Sequence, residues 1–202
     1  MKLYYTPGAC SLAPHIVARE AGIDLALEKV DIATKRTEAG RDYLSINPKG
    51  YVPALELDNG EILTEGPVIS QYLADSKPES GLAPPNGTWE RYRLQEALTF
   101  IGTEIHKSYS PLFNPSLAPE AREERIAHIR KRFELVNRML DGKEFLVGHR
   151  FTVADAYLFV MVSWKDFLKV DLSAFDNVLA FHDRIGRRAA VQAALRAEGL
   201  IQ

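Results

Sequence analysis

The residues that most restrict how this chain can fold are Thr152-Val153-Ala154-Asp155 and the apolar run behind them. A threonine followed three residues later by an acid is a capping box, in which each side chain covers the other residue's backbone N–H and starts a helix. Ala156 to Val162 is then apolar on nearly every side of that helix. A helix without a polar face cannot lie on a surface, so other segments must cover it from all directions. A central helix over Val153 to Leu168 is therefore expected, with its aromatic residues in the core and only Trp164, near its end, facing a pocket. The run is far too short to cross a bilayer. With 202 residues and 46% hydrophobic content, the chain has ample material to wrap such a helix.

The segments on the N-terminal side alternate in type. Lys2 to Thr6 reads as a strand, Leu12 to Ala21 as a helix closed by Gly22, and Leu27 to Ile32 as a second strand. Tyr51 to Leu57 and Glu61 to Leu63 read as strands joined by Asp58-Asn59-Gly60, a hairpin signal. A helix follows from Pro67 to near Ser76. The order βαβ, a loop with a short helix, then ββα is that of a thioredoxin-like α/β domain over residues 1–77. Prolines and glycines mark residues 78–87 as a linker. Residues 88–202 show only helical periodicity: Arg91 to Ser108, Pro119 to Leu140, Val153 to Leu168, Ala174 to Arg187 and a short Ala-rich tail.

Charge and cysteine usage narrow the function. A formal net charge of −2, from 25 basic and 27 acidic residues without a like-charge block, gives no footprint for nucleic acid. The N-terminus lacks the apolar stretch of a signal peptide, and one cysteine cannot form an internal disulfide, so the reducing cytoplasm is the expected location. The histidines are scattered without metal-ligand spacing, and no metal is expected.

Cys10, the single cysteine, stands where the first strand runs into the first helix. Helix N-terminal N–H groups stabilise a thiolate, which favours reactivity; the alternative is a small packed hydrophobe. Pro53 leads into a strand. It is either an ordinary strand start or the cis partner of Val52, whose backbone would then face a peptide-like ligand. Glu65-Gly66-Pro67 puts a carboxylate and a side-chain-free backbone at a helix start. That arrangement matches the two charges of an α-amino acid headgroup, or simply complements the helix dipole. Lys35 reads as a solvated loop lysine. Beyond the linker, Leu94, Leu98, Ile101 and Ile105 form one apolar seam, while Thr99, Thr103 and His106 form a polar stripe rotated away from it. His106 is either a surface histidine or a proton-handling group facing the first domain.

Taken in order, these residues resemble a cytosolic glutathione transferase, most closely of the bacterial beta class. The carriers are Lys2 to Ser11, Asn47-Pro48-Lys49-Gly50-Tyr51-Val52-Pro53, Leu63-Thr64-Glu65-Gly66 with Gln71-Tyr72-Leu73-Ala74-Asp75, Glu104-Ile105-His106-Lys107, and Phe151 to Asp155. The resemblance implies a thioredoxin-like glutathione-binding domain, a helical domain that supplies the second-substrate pocket, and a homodimer. Glutathione would be the co-substrate. By the same resemblance Cys10 lies beside the glutathione sulfur, Val52 and Pro53 bracket its cysteinyl part, and Glu65 and Gly66 hold its γ-glutamyl headgroup. Lys35 meets its glycyl carboxylate and His106 sits near the sulfur. The Thr103–Glu104 region reaches glutathione on the other subunit. Tyr109, Phe113 and Trp164 are the expected second-substrate contacts. Thr99 departs from the asparagine often found there and offers a hydroxyl in place of an amide.

The activity so implied is conjugation of glutathione to hydrophobic electrophiles, together with thiol transfer or peroxide reduction through a Cys10–glutathione mixed disulfide. Ala13 supplies no resolving thiol, so turnover would need a second glutathione. The competing readings are a glutathione-dependent reductive dehalogenase of aromatic metabolites and a non-catalytic ligand-binding member of the fold.

Overall fold

The computed structural model describes residues 1–202. Its five-stranded sheet is made of β1 (Lys2–Tyr5), β2 (Ala26–Asp31), β3 (Arg36–Thr37), β4 (Ala54–Glu56) and β5 (Ile62–Thr64), in the order β3-β2-β1-β4-β5. β1 lies at the centre, parallel to β2 and antiparallel to β4, with Leu3 opposite both Leu27 and Leu55. Alternation along β1 sends Leu3 and Tyr5 into the main core and Tyr4 to the opposite face. There Tyr4 packs with Val30, Val52 and Ala54 under Tyr43, from the 3₁₀ turn Tyr43–Ser45.

The helices are α1 (Leu12–Glu20), α2 (Gly66–Asp75), α3 (Trp89–Phe100), α4 (Pro119–Met139), α5 (Val153–Leu168), α6 (Asp176–Gly186) and α7 (Ala189–Ala197). After α3 the backbone continues through a π-helical stretch, Ile101–His106, and one further turn, Lys107–Tyr109. The chain thus joins a thioredoxin-like α/β domain to an all-helical one. No helix is long and apolar enough to cross a membrane.

α5 is the central helix that its composition demands. It packs against α1 and α2 of the sheet domain and against α3 and α6 of the helical one. One hydrophobic cluster of 44 buried residues runs through both domains as a result. At ~1.5–3 kcal/mol per fully buried large aliphatic or aromatic side chain, this shared core dominates the cohesion of the two halves. Its start is fixed by Asp155, whose buried carboxylate accepts from the N–H of Leu146 (2.7 Å), the N–H of Thr152 (2.8 Å) and the Thr152 hydroxyl (2.9 Å). Burial still pushes the Asp155 carboxyl up to about 6 against those bonds. A second tie spans the Pro/Gly-rich segment: buried Arg91 of α3 grips Asp75 at the end of α2 with its two terminal guanidinium nitrogens, at 2.8 and 2.5 Å. The Arg91 hydrogen bond holds the Asp75 carboxyl below the usual range.

Three elements differ from the sequence reading. The strand expected from Tyr51 begins only at Ala54, because Pro53 has no N–H to give to a ladder. The two-residue edge strand β3 is too short to carry a periodic signal. The single helix expected over Arg91 to Ser108 contains the π-helical stretch, which apolar spacing alone does not distinguish from an α-helix.

Candidate functional site

Cys10, Val52, Pro53, Glu65, Gly66, Thr99, Thr103 and His106 all line one cleft of about 1340 Å³ between the two domains. The α/β domain contributes the end of β1, the approach to β4 and the start of α2. The helical domain contributes α3 and its π-helical continuation. Three more cleft residues bear on its chemistry although the sequence assigns them no role: Lys49, Lys107 and Tyr157.

Cys10 precedes α1 and is half-buried, with its thiol donating to the carbonyl of Val52 at 3.3 Å. The Val52–Pro53 peptide bond is cis. The helix start alone does not ionise this thiol. Burial pushes it up to about 12, while the N–H groups of Cys10 and Ser11 and the charge of Lys107 pull only part of the way back. At neutral pH the free protein therefore holds a protonated thiol.

The loop that carries Cys10 is pinned from behind at Gly8. Its N–H donates to Glu198 at 2.9 Å and its carbonyl accepts from the Trp164 indole at 2.9 Å. Glu198 is also 2.9 Å from Nδ1 of buried His15. Trp164 is thus buried behind the Cys10 loop rather than on the cleft wall. Tyr109, also expected in the pocket, is fully buried between Trp164 and Phe133, with no hydrogen-bond partner for its hydroxyl. Phe113 does stand exposed, edge-on to Trp164 at 5.1 Å.

Glu65 adopts φ +72°, a conformation that non-glycine residues rarely take and that is retained chiefly at functional positions. Its carboxylate pairs with Lys49 at 2.8 Å, and Lys49 also donates to the Thr64 hydroxyl. No side chain caps the start of α2, which leaves the Gly66 end of the helix open to the cleft. Gly66 is not sterically obligatory, since an added Cβ would make only ordinary contact with Pro53.

On the opposite wall His106 meets Tyr157 with Nδ1 2.6 Å from the phenol oxygen. Tyr157 is buried in the core, as expected of the aromatic residues of α5, but also borders the cleft; Phe167, near the end of the same helix, is the exposed exception. Burial, followed by the charge of Lys107, lowers His106 to about 4, so its ring is neutral. Burial raises the Tyr157 phenol, which stays protonated. The Thr99 and Thr103 hydroxyls donate back to the carbonyls of Gln95 and Thr99.

Two expected contacts lie off this cleft. Lys35 donates to the Gly50 carbonyl at 2.9 Å and so is anchored at the cleft margin rather than solvated. Glu104 turns towards Arg132 of α4 at 3.6 Å. No group of three or more His, Cys, Asp or Glu side chains converges as a metal site.

Comparison with known proteins agrees with this geometry. A family model described as glutathione S-transferase, N-terminal domain, matches residues 8–76, and one described as glutathione S-transferase, C-terminal domain, matches residues 104–198. Glutathione S-transferase GstA of Escherichia coli O157:H7 is 48% identical over 99% of this chain and 100% of its own. A sphingomonad glutathione S-transferase solved in complex with glutathione is 47% identical, with a TM-score of 0.96 and full coverage of both chains. A bacterial beta class glutathione S-transferase of Sphingomonas chungbukensis is 49% identical, with a TM-score of 0.97 over the same extent.

Proposed function

The chain belongs to the glutathione S-transferase family, and from that premise we propose that the Cys10 cleft binds glutathione, conjugates it to hydrophobic electrophiles and transfers it through a mixed disulfide with Cys10. The observation that carries this reading is convergence: one free thiol, the Glu65-Gly66 helix start and the Val52-Pro53 segment line the same cleft. Glu65 and the open end of α2 offer an anion and an anion acceptor side by side, as an α-amino carboxylate requires. The Val52 backbone lies against the Cys10 thiol, where the cysteinyl part of the tripeptide would run. Lys35, off the cleft but beside its residue Tyr51, would meet the glycyl carboxylate. Thr99 and Thr103 supply hydroxyls on the facing wall. We take residues 1–77 as the glutathione-binding unit, 78–87 as the linker and 88–202 as the unit that shapes the second-substrate side. We also take the protein as a homodimer, with Thr103 and Glu104 of one subunit approaching the partner's cleft. The exposed Trp89 and Tyr92 are available for such an interface.

In conjugation the glutathione thiolate attacks the electrophilic carbon and the leaving group departs with the bonding pair. When the Tyr157 phenol donates to His106 Nδ1, the proton of the neutral ring resides on Nε2, as a donor for the sulfur that carries the charge. In thiol transfer, Cys10 attacks the glutathione sulfur of a disulfide and expels the other thiolate, which takes up the Cys10 proton. A second glutathione thiolate then attacks the glutathione sulfur of the mixed disulfide, releasing oxidised glutathione and a Cys10 thiolate, which takes up the proton that the second glutathione gave up. Intact mass spectrometry after exposure to oxidised glutathione tests this step. One glutathione adduct is expected on the parent protein and none on Cys10→Ala. An unmodified parent that also fails to bind immobilised glutathione would overturn the reading.

A further inference from the structure

Lys107 is the one charged group of the cleft that has neither an ion-pair partner nor a role in the reading above. The charged residues on the cleft walls are Lys49, Glu65 and Lys107. Lys49 and Glu65 neutralise each other at 2.8 Å, and Lys107 forms no ion pair with any carboxylate. Cys10 and His106 add nothing, because the thiol is protonated and the ring neutral. The cleft therefore carries one uncompensated positive charge. That charge directly follows His106 in the chain and lines the same cleft as Cys10.

Its surroundings point to the second substrate rather than to the glutathione bracket. Lys107 follows His106 directly and starts the turn that runs through Ser110 and Pro111 of the cleft to Phe113. The ammonium thus belongs to the cleft wall formed by the helical domain. Glu65 and the open helix end, which suit the glutathione headgroup, belong to the other domain.

We infer that Lys107 makes the helical-domain side of the cleft selective for electrophiles and disulfides that carry a carboxylate. The ammonium receives the carboxylate. This inference rests on the glutathione transferase reading and adds a substrate class to it. An exposed ion pair contributes up to ~1 kcal/mol, which corresponds to about a five-fold preference in kcat/KM. Exclusion of water by the bound substrate would increase it.

The test compares 4-chloro-3-nitrobenzoate with 4-chloro-3-nitrobenzamide. In each, the glutathione thiolate displaces chloride from the same ring position, and each rate is divided by its uncatalysed rate with glutathione. The parent is expected to favour the benzoate by about five-fold or more. Lys107→Met should abolish that preference through the KM for benzoate, Lys107→Arg should retain it, and Lys107→Glu should reverse it. Calorimetric binding of the same two compounds in the presence of S-methylglutathione reads the preference without turnover. If Lys107→Met leaves the ratio unchanged and instead raises the KM for glutathione with both compounds, the cation serves glutathione and the inference is overturned. A parent that binds benzoate more tightly than benzamide yet conjugates neither would support the inference while refuting the activity beneath it. Equal binding of the two by the parent would overturn the inference alone.

Discussion

Replacing Glu198 by alanine should cost the protein about 3–5 kcal/mol of folding stability, the usual loss when one member of a buried polar pair is removed. The Glu198 side chain is fully buried and accepts two hydrogen bonds, from the Gly8 N–H and from His15 Nδ1, both at 2.9 Å. Arg19 donates to His15 Nε2 at 3.4 Å, so the ring proton resides on Nδ1 and points at Glu198. Each hydrogen bond to a charged group contributes ~1.5–3 kcal/mol, and loss of both reproduces the figure for the pair. Glu198→Gln keeps an acceptor for one donor but turns its NH₂ towards the other, so it should cost about half as much. For a domain of this size the alanine variant should melt roughly 10 °C lower. Urea unfolding followed by tryptophan fluorescence is a suitable assay, because the Trp164 indole donates to the same Gly8 whose N–H is released. The midpoint should fall while the slope holds. A loss below about 1 kcal/mol, or a glutamine variant as unstable as the alanine one, would refute the two-bond account of Glu198.

Two further outcomes follow from the protonation states of the cleft. Alkylation of Cys10 by iodoacetamide in the free protein should be slow at neutral pH and keep accelerating above pH 9, because burial holds the thiol near 12. A rate plateau reached by pH 8 would show instead that the helix start wins over burial. The His106 ring should titrate in NMR near 4 rather than near the 6.5 of a free imidazole. Its folded value is depressed, so the unfolded chain binds the extra proton first: the stability that His106 contributes is fully present above pH 6.5 and is lost as pH falls towards 4. A titration midpoint near 6.5 would contradict the neutral ring assigned to the resting protein.

Much of the architecture follows from short-range pattern. The apolar run behind Thr152 defines α5 to the residue, from Val153 to Leu168, because a helix without a polar side has one stable place in a fold. The seam Leu94, Leu98, Ile101 and Ile105 is fully or nearly fully buried, as its spacing implies, even though the last two lie in the π-helical stretch. The stripe Thr99, Thr103 and His106 faces the cleft for the same reason, one side of the helix being taken by the core. Glu65-Gly66 and Val52-Pro53 also carry their positions in local backbone chemistry, a helix start and a proline entering a strand.

What only the tertiary structure decides are the pairings between distant residues and the state of protonation they impose. Tyr157 and His106 are 51 positions apart, and Gly8 and Glu198 are 190 apart. No periodicity links such residues; they meet because α5 is packed against both domains. Within α5, Tyr157 borders the cleft while the Trp164 indole is bonded to the Gly8 carbonyl, although both are buried aromatic residues of the same apolar helix. Sequence position placed Cys10 at a helix N-terminus, where a thiolate is favoured. The fold then surrounded it with enough low-dielectric material to reverse that preference, because the cost of burying a charge exceeds what a few backbone dipoles return.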